Sequence, residues 1–338
     1  SAQIDAGAIR ILQREFDSVS VNVRYQEPGG NVNVFVLRSP DESYSGLLAF
    51  DGEGDVRTLH LDELVFRFPE ERWNLGGPAT ISWDPDGLTI RDFRMRRPGV
   101  GGMRLQAQGR IPFNGEADFV LETEALDIRW IANLLQLNEV LEGVLDLDLR
   151  VTGTNAEPVM VVAISSDGFR FREYVLARIE ANLNYAGRTA SGDVGLWSDS
   201  LQILTLDGAL PLDLSFNPVD DRFPQEVIDL VVVSDRLPLS LLLAPFPSFE
   251  QVVGTMSGTV DVAGTSRSLA PRGQIDVTGG GAFVSGLGVR YEDVSGTLDW
   301  FPDGRLEVNL GAQGAEELGT ARVEGTVTLT TLLDPGFD

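Results

Sequence analysis

Residues 141–154 read LEGVLDLDLRVTGT. Within this stretch Leu145, Leu147, Leu149 and Val151 alternate with Asp146, Asp148, Arg150 and Thr152. Side chains two residues apart share one face of an extended chain, so the stretch predicts a strand with an aliphatic side and a charged side. The same period recurs outward in both directions. Val19, Val21 and Val23 alternate with Ser20, Asn22 and Arg24, and Val32, Val34 and Val36 follow. Near the other end Leu306, Val308 and Leu310 alternate with Glu307 and Asn309, and Val323 and Val327 continue the pattern past Gly325. Turn pairs punctuate these runs: Gly29-Gly30 after Pro28, Asp51-Gly52, Asp86-Gly87, Asp167-Gly168 and Asp303-Gly304. The pattern predicts an all-β chain of about twenty strands, each roughly four to eight residues, joined mostly as hairpins.

Helical signal is confined to two places. Residues 128–140 (IRWIANLLQLNEV) crowd Ile131, Leu134, Leu135 and Leu137 on one side, with Asp127 placed to cap the N-terminus. Residues 237–250 are a weaker case, because Pro245 and Pro247 end any helix there. Both stretches precede the same run of a Gly, a strand and a second Gly: Gly143 to Gly153, and Gly254 to Gly264, with 111 residues between copies. Trp83-Asp84-Pro85-Asp86-Gly87 returns as Trp300-Phe301-Pro302-Asp303-Gly304, 217 residues later and close to two periods. The expected organisation is therefore three repeats: residues 1–126 as the end part of one, 127–236 as a complete one opening with the helix at about 128–140, and 237–338 as most of another, apparently truncated. The abrupt ends suggest an interior fragment of a longer chain.

Composition narrows the function classes. The 338 residues carry 26 basic and 51 acidic side chains, a net charge of -25, and every basic residue is Arg. Such a chain is not expected to bind nucleic acid, which needs clustered positive charge. Cysteine is absent, which excludes disulfides, thiolate metal sites and cysteine nucleophiles. His60 is the single histidine and no G-x-S-x-G elbow accompanies it, so two-His metal motifs and a Ser-His-Asp triad find no support. The expectation is a non-enzymatic protein with no metal and no cofactor, other than bound phospholipid or fatty acyl chains.

The individual polar motifs favour structural readings. His60 takes a polar slot in Leu59-His60-Leu61. Asp51-Gly52-Glu53-Gly54-Asp55 has carboxylates at calcium-like spacing, but Val56 stands where the loop would need Gly, so it reads as a hairpin turn. Asp84, Asp86 and Asp303 fall in turns that favour Asp and Gly, rather than as paired glycosidase carboxylates. Arg91, Arg94, Arg96 and Arg97, with Arg104 and Arg110 nearby, form the one basic cluster; they are candidates for holding a phosphate headgroup, against ion pairing or plain solvation.

Two architectures fit these strands: two sheets closed face to face as a sandwich, or one long sheet curled into an open trough with an apolar inner face. The segments LLQLNEVLEGVLDLDLRVTGTNAEPVM (134–160), APFPSFEQVVGTMSGTVDVAGTSRSLAPRGQIDV (244–277) and GTARVEGTVTLTTLLDPGFD (319–338) bear on the choice. Their order of short helix, Gly, alternating strand, Gly-Thr, Pro and a strand ending in an aromatic resembles the AsmA-like superfamily, in particular its TamB (translocation and assembly module) branch. The resemblance covers about 120–338 well and 1–120 loosely.

It implies a long, curled, mostly antiparallel sheet forming an open hydrophobic groove, a β-taco, with short helices at the repeat boundaries. It implies periplasmic localisation, an inner-membrane anchor lying outside this chain, and conduction of phospholipid between the inner and outer membranes or assistance to outer-membrane protein assembly. The implied partners are phospholipid, an Omp85-family barrel reached through parts absent here, and unfolded β-strands of client proteins. The groove would be lined by Val19, Val21, Val23, Val32, Val34, Val36, Leu145, Leu147, Leu149, Val151, Leu306, Val308, Leu310, Val323 and Val327. The alternative is a sandwich-type structural, adhesin or assembly scaffold that binds protein partners.

Overall fold

The computed structural model describes residues 1–11, 14–69, 71–97, 99, 103–129, 141–171, 174–219, 221–243, 248–314, 319–328 and 336–337. The chain is all-β, and its strands form an open, curled, mostly antiparallel sheet. In order they are β1 (Ala2–Ile11), β2 (Arg14–Gln26), β3 (Gly29–Ser39), β4 (Glu42–Glu53), β5 (Val56–Arg67), β6 (Arg72–Leu75), β7 (Ala79–Asp84), β8 (Gly87–Arg96), β9 (Arg104–Pro112), β10 (Glu116–Asp127) and β11 (Leu141–Thr154). There follow β12 (Pro158–Phe171), β13 (Tyr174–Ala186), β14 (Thr189–Ser198), β15 (Leu201–Pro211), β16 (Ile228–Pro238), helix α1 (Leu239–Leu243), β17 (Phe249–Thr265), β18 (Ser268–Val284), β19 (Val289–Trp300), β20 (Arg305–Gly314), β21 (Thr320–Thr328) and β22 (Gly336–Phe337).

Contacts divide the chain into two compact units, residues 1–127 with 145–162, and 128–144 with 163–338. In the first unit each strand from β1 to β5 pairs antiparallel with its sequence neighbour. Strands β6 and β7 then share one lane between β5 and β8, interrupted at Gly76-Gly77-Pro78, and β9 and β10 complete the meander. In the second unit the same neighbour-to-neighbour pairing runs from β13 to β22. Among the described residues no ladder closes either series into a barrel, and the strands do not separate into two facing sheets. The sandwich alternative is therefore not the fold.

The strands are longer than the four to eight residues expected from the pattern. Strands β17 and β18 have 17 residues each. Gly143, Gly153, Gly254 and Gly264 lie inside strands rather than ending them. Sequence punctuation by Gly here marks bends within a lane, not breaks between lanes. Gly192 and Gly208 show why Gly is required. They sit directly opposite each other on β14 and β15 with φ of 145 and 138 degrees. A Cβ on Gly192 would collide with the carbonyl oxygen of Asn182, and one on Gly208 with that of Asp229. Gly258, Gly273 and Gly296 repeat this geometry on β17, β18 and β19. Glycine kinks and bulges of this kind are what curl a sheet.

The two expected helices each fall partly outside the described residues. Strand β10 runs to Asp127, residues 128–129 are helical, and 130–140 lie outside the described residues. At the second window Leu237 and Pro238 still belong to β16, Leu239–Leu243 is helical among the described residues, and 244–247 lie outside them.

The 111-residue spacing is visible in the bonding at these strand ends. The Thr123 hydroxyl donates to the Leu145 carbonyl at 3.2 Å, and Ser234, 111 residues on, donates to the Met256 carbonyl at 2.8 Å. The backbone N–H of Ala125 donates to Asp146 Oδ1 at 2.6 Å, and that of Arg236 to Ser257 Oγ at 2.8 Å. Ala125 and Arg236 are both left-handed, at φ of 49 and 53 degrees. Each bulge turns the next side chain, Leu126 or Leu237, into the buried interior.

Candidate functional site

The valines singled out in the sequence share one face. Strands β2 and β3 pair Val19 with Val36, Val21 with Val34 and Val23 with Val32. These pairs extend in both directions. One row runs Ala2, Val23, Val32, Leu48, Leu61, Ala79 across β1 to β5 and β7. A second runs Phe50, Leu59, Ile81, Ile90 from β4 to β8. All six valines are half-buried, while Asn22, Asn31 and Asn33 between them are exposed. On β11, Leu145, Leu147 and Leu149 are half-buried and Val151 buried, against exposed Asp146, Asp148 and Arg150.

The second unit builds the same surface from other strands. One row reads Ala181, Val194, Leu206, Val232, Val260, Gly273, Trp300, Leu306, Val327 from β13 to β21. The row beside it contains Ile275, Leu298 and Val308, and the next contains Val277, Gly296, Leu310 and Val323. Val323 is 56% exposed and the others are half-buried or buried. Every groove residue named from the sequence in β20 and β21 therefore lies on one face. What the pattern did not single out is the apolar partners on intervening strands, such as Leu48, Ile81, Leu206, Val232 and Leu298. Their alternation was present but interrupted by Gly and bulges, and only the register connects them.

One part of this surface is a closed core. Leu176, Ile203 and Leu237 are buried together, with Phe169, Ile179, Leu196, Leu204, Leu241 and Met256 packed against them. Leu241 brings α1 onto this cluster, so the helix covers one end of the apolar face in the second unit. The corresponding strand ends of the first unit hold Trp73, Met95 and Leu126, all buried. Beside them Trp73 Nε1 donates to Glu71 Oε2 at 3.0 Å, and Arg97 Nη1 stands 3.3 Å from Glu71 Oε1. Burial pushes the Glu71 carboxyl above its ordinary range; the Trp73 bond and Arg97 oppose this, and the neighbouring Asp127 adds to it. Burial, then the bond to Glu42, likewise pushes the Tyr44 phenol up.

The basic cluster is distributed rather than convergent. Arg91, Arg94 and Arg96 are exposed on the side of β8 opposite Ile90, Phe93 and Met95. Arg94 pairs with Asp92 at 3.3 Å and Arg96 donates to the Gly76 carbonyl at 2.9 Å. Arg97 alone turns toward the buried strand ends. Arg104 pairs with Glu124 and Arg110 with Asp84. The outer surface is thus a mesh of ion pairs, each worth little in water.

The remaining motifs take local roles. His60 Nε2 lies 2.7 Å from Asp51 Oδ2 across the β4–β5 ladder, with both side chains nearly half exposed. Asp84 Oδ1 accepts the Asp86 N–H and Asp303 Oδ1 accepts the Arg305 N–H, which stabilises their turns. Arg178 stacks 4.4 Å over Trp197. Among the described residues no group of carboxylate and His side chains is placed to hold a metal ion. Nor is any described helix long and apolar enough to cross a membrane. No family model, no curated protein and no solved structure matches this chain.

Proposed function

We propose that this chain is a non-enzymatic segment of a hydrophobic groove that carries the acyl chains of phospholipid. The observation behind this reading is the row structure: in each unit aliphatic side chains line up across successive strands, half-exposed, on a sheet that does not close. Leaving such a face to water is unfavourable by about 25 cal/mol per Å2, and an acyl chain lying on it gains about 0.8 kcal/mol per buried CH2. Rows that repeat from strand to strand give many similar shallow sites rather than one deep site, which suits conduction. The polar outer rows keep the opposite face in water.

Together with the resemblance to the AsmA-like superfamily, this reading makes the chain an interior piece of a TamB-type periplasmic bridge. Its full-length form is anchored in the inner membrane, works with an Omp85-family barrel, and moves phospholipid between membranes or assists outer-membrane protein assembly. The test is native mass spectrometry of the chain purified from a membrane-containing host, followed by solvent extraction and lipid analysis. Several phospholipids per chain are expected, fewer in Val21→Asp or Val308→Asp, each of which removes the sites along its own row, and unchanged in Asn22→Asp on the outer face. A lipid-free chain would overturn the proposal.

A further inference from the structure

In the second unit most hairpins are tight. Two residues join β13 to β14, β14 to β15 and β17 to β18. The connection from β15 to β16, residues 212–227, is far longer. Connections of this length are uncommon in a tight meander and are either functional or linker segments; the bonds along this one fix it in place. Its two legs, Leu212–Val219 and Asp221–Val227, return across the strand ends and are fastened at both sides.

On one side the Leu214 N–H donates to the Tyr185 hydroxyl at 2.8 Å, and the Leu212 N–H to the Arg188 carbonyl at 2.9 Å. Arg188 Nε also lies 3.5 Å from Asp213 Oδ2. On the other side Ser266 in the β17–β18 turn donates to the Phe223 carbonyl at 3.1 Å, and Arg267 pairs with Asp221 at 3.4 Å. Arg222 joins the legs: one Nη1 donates to the carbonyls of Asp213 and Ser215, both at 2.8 Å. The Asp213 N–H donates back to the Arg222 carbonyl at 2.8 Å.

The side chains beneath belong to the apolar face. Tyr185 and Ile228 continue its row pattern beyond Leu183 and Leu230, and they are 4% and 1% exposed. The connection thus crosses the face at two of its covered positions, as Tyr185 shows by accepting the Leu214 N–H. The fastenings named are polar; Leu212, Leu214 and Phe223 on the connection are half-buried, while Phe216 and Val227 remain exposed. A connection outside the strand ladders, fastened mainly by turn and side-chain hydrogen bonds, opens at lower free energy than the strands it crosses.

We propose that the two legs of this connection, residues 212–219 and 221–227, form a releasable strap. Fastened, it seals one end of the apolar face in the second unit; with Arg222 released, it uncovers the surface from Tyr185 to Ile228 to an acyl chain entering from the side. The gating role rests on the groove reading, whereas the opening itself does not.

The chain has no cysteine, so single-Cys variants report opening cleanly. Ile228→Cys lies under the strap and Val323→Cys lies on an open row; Leu210→Cys, on the same covered end, serves if Ile228→Cys does not fold. Adding Arg222→Ala is expected to speed maleimide labelling under the strap by at least about tenfold and to leave Val323→Cys unchanged. Equal rates with and without Arg222, or equal acceleration at Val323→Cys, would overturn the strap. In a second arm, dansyl-undecanoic acid is mixed with the cysteine-free chain. Several-fold faster association in Arg222→Ala supports gating. Unchanged association despite faster labelling overturns gating and leaves opening. A probe that binds neither form overturns the groove reading, and with it gating, while the labelling result still decides the strap.

Discussion

Strands β1 to β5 and strands β14 to β19 carry similar aliphatic rows yet differ in depth. In β1 to β5 the only Gly with a left-handed φ is Gly54, in a turn. The valine rows there are half-exposed throughout, and among the described side chains of these strands burial is reached only at Leu61. In β14 to β19 five mid-strand glycines, Gly192, Gly208, Gly258, Gly273 and Gly296, take φ between 138 and 152 degrees. There Ile203, Ile228, Val260, Ile275 and Val277 are buried. Alternation by itself supplies a face. Glycine, by removing the Cβ where lanes crowd, lets that face fold inward and bury part of itself.

The largest effect expected from this contrast is at the kinks. Gly208→Val drives a branched side chain into the Asp229 carbonyl and should destabilise by about 4 kcal/mol or prevent folding. Gly7→Ala on β1 meets only the Asp17 carbonyl at 3.7 Å, ordinary contact, and should change stability by less than about 1 kcal/mol. Urea unfolding of the two variants, compared with the parent, checks the pair. Equal effects would mean that the glycines do not set the bend.

Side-chain truncation should follow the same division at smaller scale. Ile203→Ala leaves a cavity in the closed cluster and should cost about 2–5 kcal/mol, whereas Val34→Ala, half-exposed on β3, should cost about 1 kcal/mol. Thermal melting of both variants reads the difference, and similar losses would show the valine face to be as enclosed as the cluster.

The smallest effect is pH-dependent and belongs to the first unit. Glu71 has a raised carboxyl pKa, so the folded chain holds a proton there that the unfolded chain has released. Its contribution is therefore fully present below the ordinary Glu value of 4.5 and is lost as pH rises through the elevated folded value. Melting temperature should decline more steeply with pH just above 4.5 in the parent than in Glu71→Gln. Identical slopes would show that Glu71 titrates normally.

The two architectures left open by the strand pattern illustrate what a sequence can carry. Val19, Val21 and Val23 specify a one-sided strand whatever they pair with, because side-chain direction alternates locally. Nothing local distinguishes a face that meets a second sheet from one that meets lipid or water. The candidate lining was legible at Leu145, Leu147, Leu149 and Leu306, Val308, Leu310, where alternation is unbroken. It was illegible at Val232 or Leu298, whose place in a row depends on a register set by bulges such as that between Ser234 and Leu237. The headgroup candidates Arg91, Arg94 and Arg96 cluster in sequence but fan out along the outer side of one strand, where Asp92 and the Gly76 carbonyl engage two of them.

The strap shows the same limit at a distance. Asp213, Arg222 and Ser266 are unremarkable in sequence, and only the return of the chain across the strand ends brings them together. The all-β class, the strand faces and the 111-residue spacing were determined by the sequence itself, since each rests on backbone geometry within a few residues or on direct repetition. Which lanes pair, which glycines become kinks and which apolar side chains end up covered were decided by the tertiary structure, because each depends on a carbonyl or side chain contributed by another strand.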